Sequence, residues 1–79
     1  MGGSEEQGMN QSQLEFVLYC VENLADDLGK DTIEVYDLLK NSGVLYDYII
    51  PLYGILHTQG RDYIVEDLRS VLQKKGVAL

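Results

Sequence analysis

Apolar residues recur at steps of three and four along the first half of the sequence, and this period most constrains the fold. From Leu14 to Leu28 the spacing places them along one stripe of an α-helix. No segment of useful length alternates polar and apolar residues, which is the pattern of a half-buried strand. The chain is therefore predicted to be all-α, a small bundle of four to five short helices.

The first helix is delimited by residues that favour helix ends. Ser12 can accept a hydrogen bond from the backbone amide of Glu15, whose carboxylate can reach back to the Ser12 amide. Gly29 can adopt the left-handed conformation that ends many helices. The helix is therefore predicted over residues 13–28. Its apolar stripe is wide, which favours a central position in the bundle or contact with another chain.

Two further helices are predicted by the same kind of signal. Asp31 is expected to cap a short helix over residues 32–41, with Glu34 as its reciprocal partner. Asp62 is expected to cap a last helix over residues 63–75, whose first turn is acidic and whose last turn is basic. That order of charges is favourable for the helix dipole and supports the boundaries of this last helix.

Pro51 lies in the middle of an apolar run from Val44 to Leu56. Proline donates no backbone hydrogen bond, and its ring clashes with the carbonyl group four residues earlier. We therefore expect two helical pieces, one over residues 44–49 and one over residues 51–58, because proline is tolerated in the first turn of a new helix. One continuous but kinked helix is the alternative.

The chain has 79 residues, which is enough for one domain. Residues 1–11 are polar and show no helical period, and they are predicted to be a disordered leader. Residues 12–79 are predicted to form a single helical domain near the lower size limit for a stable hydrophobic core. A core this small would gain stability from a protein partner or from self-association as a homodimer.

The sequence carries 13 acidic and 6 basic residues, a net charge of −7. Such a field repels polyanions, so nucleic acid and anionic membrane surfaces are poor partners, whereas a basic protein is a better one. The longest apolar runs are too short to span a bilayer. A single cysteine and the lack of a recognisable secretion signal favour a cytoplasmic location.

The sequence offers few groups for catalysis or cofactor binding. Cys20 lies in an apolar segment that keeps a thiol protonated, and His57 is the only histidine, so an enzyme that uses His57 is only a third hypothesis. The cysteine and histidine match no zinc site, the acidic residues match no calcium loop, and the glycines form no phosphate-binding loop. We expect neither an enzyme nor a metal or other cofactor.

The alternative function is that of a DNA-binding regulator. The predicted second helix, the turn after it and the helix from Val44 have the outline of a helix-turn-helix. A recognition helix needs cationic or amide side chains to contact phosphates and bases. The stretch from Val44 to Leu56 contains Asp47 and no lysine or arginine. Two packed core helices are therefore the simpler interpretation.

The polar turn between the last two apolar segments is the candidate contact surface. Tyrosine is frequent at protein interfaces, and the neighbouring histidine, glutamine and arginine can bind polar groups of a partner. The structural alternative is that these side chains only bond to the ends of the helices that they join. The candidate partner-contact residues are Tyr53, His57, Thr58, Gln59, Arg61 and Tyr63.

Several strings of the sequence, taken together, resemble a known family. The most specific is Leu56-His57-Thr58-Gln59-Gly60, and two others are Val35-Tyr36-Asp37-Leu38-Leu39 and Tyr63-Ile64-Val65-Glu66-Asp67. They are similar to segments of DUF3791, a family of small bacterial proteins of unknown function. The resemblance covers about residues 13–76, and Pro51 departs from the family pattern.

The resemblance implies no catalytic residues, since the family has no established activity. Its members are often encoded beside a second uncharacterised protein that resembles ADP-ribosyltransferases, which implies an antitoxin- or immunity-like partner. Together with the composition, the resemblance predicts a small acidic protein-interaction domain.

Overall fold

The structure is a computed structural model, and it describes residues 10–79. Within that range the chain forms five helical segments and no strand, which confirms the predicted all-α fold. The segments are α1 (Gln11–Leu28), α2 (Thr32–Asn41), a π-helical turn (Leu45–Ile49), α3 (Tyr53–Leu56) and α4 (Arg61–Lys74). Most of the predicted leader, residues 1–9, lies outside the described residues.

α1 begins two residues before the predicted start. Its N-cap is Asn10 and not Ser12: Asn10 Oδ1 accepts a hydrogen bond from the Gln13 amide at 2.8 Å, and Gln13 Oε1 accepts one from the Asn10 amide at 3.1 Å. The prediction was wrong because Asn10 and Gln13 have the same reciprocal spacing as Ser12 and Glu15, and asparagine caps as well as serine does. Gln11, which was assigned to the leader, lies in this helix.

The loop between α1 and α2 contains the predicted glycine and the predicted N-cap, but lacks the expected reciprocal bond from Glu34. Gly29 ends α1 in the left-handed conformation, with a φ of 67°. Asp31 caps α2 and accepts a hydrogen bond from the Ile33 amide at 3.1 Å. Glu34 was expected to complete a reciprocal cap, but its carboxylate instead forms an ion pair with Lys30 at 3.6 Å. The helix therefore begins where predicted, with a simpler cap.

Pro51 splits the second apolar run, as predicted. The Ile50 amide donates to the Leu45 carbonyl at 3.1 Å, five residues back, so the chain forms a wide π-helical turn before the proline. We attribute the widening to Pro51, since a regular helix would press its ring against the carbonyl group of Asp47. The second piece is shorter than predicted, because α3 spans four residues and Pro51 lies in the connecting turn.

α4 begins at Arg61, two residues before the predicted start, and Asp62 is not its cap. Gly60 occupies the N-cap position in an extended conformation, and no side chain caps the helix. We attribute the earlier start to Arg61, because its side chain bonds to α1 and fixes the first turn of α4 against it. Asp62 remains in the first turn, where a carboxylate favours the helix dipole.

The hydrophobic core lies between α1, α2 and α4, and side chains of the π-helical turn complete it. Every buried side chain among residues 10–79 is apolar, and none of the buried side-chain polar atoms there lacks a hydrogen-bond partner. Leu24 of α1 is fully buried, whereas Leu18 of the same helix is 48% exposed. The buried residues are Phe16, Val17, Cys20, Val21, Leu24, Ala25, Val35, Leu39, Val44, Leu45, Ile49, Leu56, Ile64, Val65, Leu68 and Leu72.

Leu24→Ala is expected to destabilise the fold by about 2–5 kcal/mol, because it removes buried methyl groups and leaves a cavity. Leu18→Ala is the matched control in the same helix, and we expect it to change the free energy of unfolding by less than about 0.5 kcal/mol. Urea unfolding followed by circular dichroism measures both changes. Equal losses for the two variants would contradict the burial described for α1.

Candidate functional site

The predicted contact residues Tyr53 and His57 lie together at the two ends of α3. Their rings are nearly parallel, with an interplanar angle of 9° and centroids 4.5 Å apart. The Nδ1 atom of His57 lies 2.7 Å from the carbonyl oxygen of Tyr53. A carbonyl oxygen can only accept, so Nδ1 carries the hydrogen and donates it. The stacking and the hydrogen bond together hold the histidine ring in one orientation.

Two residues of α1 extend this stack, and neither was among the predicted contact residues. Phe16 packs edge-on against Tyr53 with ring centroids 5.5 Å apart, and Tyr19 stacks on Phe16 at 6.2 Å. We call the four rings of Tyr19, Phe16, Tyr53 and His57 the aromatic row. Phe16 is buried and Tyr53 half-buried, while the rings at both ends are exposed. The only sequence feature that pointed to Phe16 and Tyr19 as contact residues is that they widen the apolar stripe of α1.

The remaining polar residues of the predicted surface have different surroundings. Thr58 Oγ1 donates to the Ile55 carbonyl at 2.7 Å, which is the helix-end role that the structural alternative expects. Gln59 is exposed in the turn after α3, and Tyr63 is 55% exposed on α4. The structure therefore brings Tyr53 and His57 together but does not unite all six predicted residues in one site.

Arg61 links α4 to α1. Its Nε atom donates to Asn23 Oδ1 at 2.8 Å, and its two Nη atoms lie 3.4 Å from the Asp26 carboxylate and 3.2 Å from the Asp62 carboxylate. Asn23 in turn donates to the backbone carbonyl of Tyr19 at 2.8 Å. The guanidinium is thus used inside the molecule, and we infer a structural role for it. Because 38 residues separate Arg61 from Asn23, no local pattern could have predicted the bond.

Cys20 and His57 have opposite surroundings. Cys20 is a buried free thiol, and burial raises its pKa to about 12. The thiol therefore stays protonated at neutral pH and is a poor nucleophile. His57 is exposed on the surface. Among the described residues, no three histidine, cysteine, aspartate or glutamate side chains are grouped so that they could hold a metal ion.

Tyr48 and Asp67 form a second polar contact, between the π-helical turn and α4. The Tyr48 hydroxyl donates a hydrogen bond to the Asp67 carboxylate across 19 residues of sequence. This hydrogen bond, followed by burial and by the negative charge of Asp67, raises the pKa of Tyr48 to about 12. The contact connects the irregular part of the chain around Pro51 to a regular helix.

The fold and these surfaces define a small all-α domain with aromatic, apolar and acidic groups on its exterior. None of the helices within residues 10–79 has the length and apolar character needed to cross a membrane. The chain belongs to DUF3791, a family described as a protein of unknown function, whose family model matches residues 15–75. This match confirms the resemblance seen in the sequence. No match was found among curated proteins or among solved structures.

Arg61→Ala is expected to destabilise the fold by about 1–2 kcal/mol, because it removes charge-assisted bonds to α1. For a domain of this size, each kcal/mol lowers the melting temperature by roughly 4–8 °C. Gln59→Ala, two residues earlier and exposed, is the matched control and should leave the melting temperature nearly unchanged. Thermal unfolding followed by circular dichroism measures both. Identical melting temperatures for the two variants would rule out the structural role of Arg61.

Tyr48→Phe is expected to lower the free energy of unfolding at neutral pH, and this loss should become smaller as the pH rises. The raised pKa of Tyr48 means that its hydrogen bond stabilises the native state fully below about pH 10 and is lost as the pH rises towards 12. The difference in unfolding free energy between the parent and the variant should therefore narrow above pH 10. Urea unfolding from pH 7 to pH 11 measures it, and Tyr46→Phe controls for loss of an exposed hydroxyl from the same turn. A constant difference over this range would contradict the bond to Asp67.

Proposed function

We propose that the protein acts by binding another protein, and that the aromatic row is part of its contact surface. The observation that carries this proposal is the row itself. The exposed ring of Tyr19 stacks on the buried ring of Phe16, and the exposed ring of His57 stacks on Tyr53, which packs against Phe16. Aromatic side chains are enriched at interfaces because they provide a large contact area at low cost in conformational entropy. A row that joins the core to the surface is suited to that use.

The geometry of His57 supports a contact role. Its ring is fixed by stacking on Tyr53 and by the bond to the Tyr53 carbonyl, so little side-chain entropy remains to be lost on binding. With Nδ1 bonded to the Tyr53 carbonyl, Nε2 is the ring nitrogen left for a polar group of the partner. The ring therefore offers both an aromatic face and a polar atom in one orientation.

The charge of the protein favours a basic partner. Acidic residues outnumber basic ones by 13 to 6. Within residues 10–79, four of the six basic side chains form ion pairs with carboxylates: Lys30, Arg61, Arg69 and Lys75. The negative field that remains accelerates association with a positively charged surface and disfavours an acidic one.

The alternative functions have less support. The stretch considered as a recognition helix has no basic side chain, and it is divided into a π-helical turn and a four-residue helix. We therefore do not propose DNA binding. We propose no catalytic role for His57 either, because the contacts that hold its ring account for it as part of a surface. An antitoxin- or immunity-like role is one form of protein binding and stays a prediction of the family resemblance.

Tyr19→Ala and His57→Ala are expected to weaken partner binding at least about tenfold each, as for residues that anchor an interface. Tyr46→Ala is the matched control, since Tyr46 is 40% exposed and Tyr19 is 41% exposed. The full chain is used to isolate a partner from its native cells, and the purified partner is then titrated with each variant by calorimetry. Thermal unfolding of each variant separates loss of contact from loss of fold.

Two results would overturn the proposed function. One is that the full chain retains no partner under conditions in which it is folded. The other is that folded Tyr19→Ala and His57→Ala proteins bind the partner as tightly as the Tyr46→Ala control, which would remove the aromatic row from the interface.

A further inference from the structure

A second apolar surface lies between α1 and α2. It is a groove of about 250 Å³, which we call the α1–α2 groove. Two of its apolar side chains are unusually exposed to solvent: Leu18 is 48% exposed and Ile33 is 70% exposed. The residues that line the groove are Leu18, Val21 and Glu22 of α1, and Thr32, Ile33 and Tyr36 of α2.

The groove is separate from the aromatic row. Leu18 follows Phe16 by two residues, which is a rotation of about 200° around the axis of α1. The two side chains therefore point to opposite sides of the helix, Phe16 towards α3 and Leu18 towards the groove. Leu14, one turn before Leu18, is 46% exposed and continues the apolar side of the groove along α1.

The fold itself does not account for this surface. α1 and α2 already pack together through fully buried side chains such as Leu24 and Leu39. Polar residues in place of Leu18 and Ile33 would leave that core unchanged. Adjoining exposed apolar side chains with polar residues at their edge are typical of surfaces that bind another molecule.

The edges of the groove are mainly acidic. Glu15 and Glu22 lie on either side of Leu18 along α1, three residues before it and four after it. On α2, Asp37 lies four residues after Ile33 and is exposed. Two lysines lie in or beside α2: Lys40, one turn beyond Tyr36, and Lys30, which precedes the helix and forms an ion pair with Glu34 at 3.6 Å. A partner segment with apolar residues at its centre and mostly basic residues at its edges complements this arrangement.

The charge also decides between two possible occupants. A symmetric pair of copies joined through the groove would place the carboxylates of Glu22 and Asp37 from both copies in one interface. Each copy also carries a net charge of −7, so the pair would repel as a whole. A different protein with a basic segment avoids both of these repulsions.

We propose that the α1–α2 groove binds an amphipathic helix of a partner protein, with apolar residues at i, i+3 or i+4, and i+7 and with lysine or arginine on both sides of that stripe. The length of the groove fits such a helix, because the eight residues from Leu14 to Val21 span about 10 Å, as does one i to i+7 stripe. The proposal rests on the proposed function in one respect, that the protein acts by binding a protein. It assigns a different surface and a specific kind of ligand.

The test uses the full chain, labelled with ¹⁵N, and three synthetic helical peptides of about 15 residues. The first has a leucine stripe with lysine on both sides, the second has the same stripe with glutamate, and the third has lysine and alanine without leucine. We expect the first to shift the amide resonances of Leu18, Ile33 and Tyr36, and to bind at least about tenfold more tightly than either of the others.

Variants of the chain assign the binding site. Leu18→Ser and Ile33→Ser should each lower the affinity for the first peptide at least about tenfold. Ile55→Ser is the matched control, because Ile55 is 64% exposed on α3, away from the groove, and this variant should bind like the parent. Circular dichroism of each variant shows whether it is folded.

Three outcomes would overturn the proposal. The first peptide does not bind, the glutamate peptide binds as tightly as the first peptide, or folded Leu18→Ser binds the first peptide as tightly as the parent chain does. A free chain that sediments as a dimer, with Leu18→Ser as a monomer, would show that a second copy occupies the groove. A natural partner that binds through the aromatic row and is insensitive to Leu18→Ser would leave the proposed function standing and remove only the groove.

Discussion

The burial of one face of α1 is the constraint on which the rest of the structure depends. α2 and α4 both pack on α1, and each contacts α1 more extensively than any other part of the described chain. A domain of this size buries little apolar surface, so each α1 contact carries a large share of the net stability. Arg61 and Arg69 add bonds from α4 to carboxylates of α1, the second at 2.8 Å from Asp27.

The same burial determines what the surface offers. Because α1 is a helix with a wide apolar stripe, its buried face has an apolar margin on each side. One margin supports the aromatic row through Phe16, and the other borders the α1–α2 groove through Leu18. Both proposed contact surfaces are thereby fixed to one rigid element, which limits the entropy that either would lose on binding.

The local features of the fold could be predicted from the sequence. The helical period, the turn at Gly29, the cap at Asp31 and the break at Pro51 depend on residues near one another in the chain. The starts of α1 and α4 were predicted two residues late. Asn10 caps α1 as well as Ser12 could, and α4 begins without a side-chain cap where Arg61 bonds to α1. The aromatic row and the bond from Arg61 to Asn23 join distant residues, and they depend on helix packing that no local pattern specifies.

Native-state hydrogen exchange is the most direct test of the central position of α1. The amides of Val21, Leu24 and Ala25 should exchange only through global unfolding, with a free energy equal to that from urea unfolding. Amides of α3 should exchange at a lower free energy, because this helix is a single turn with exposed neighbours. Exchange of the α1 amides through local opening, as fast as that of α3, would contradict the dependence of the fold on α1.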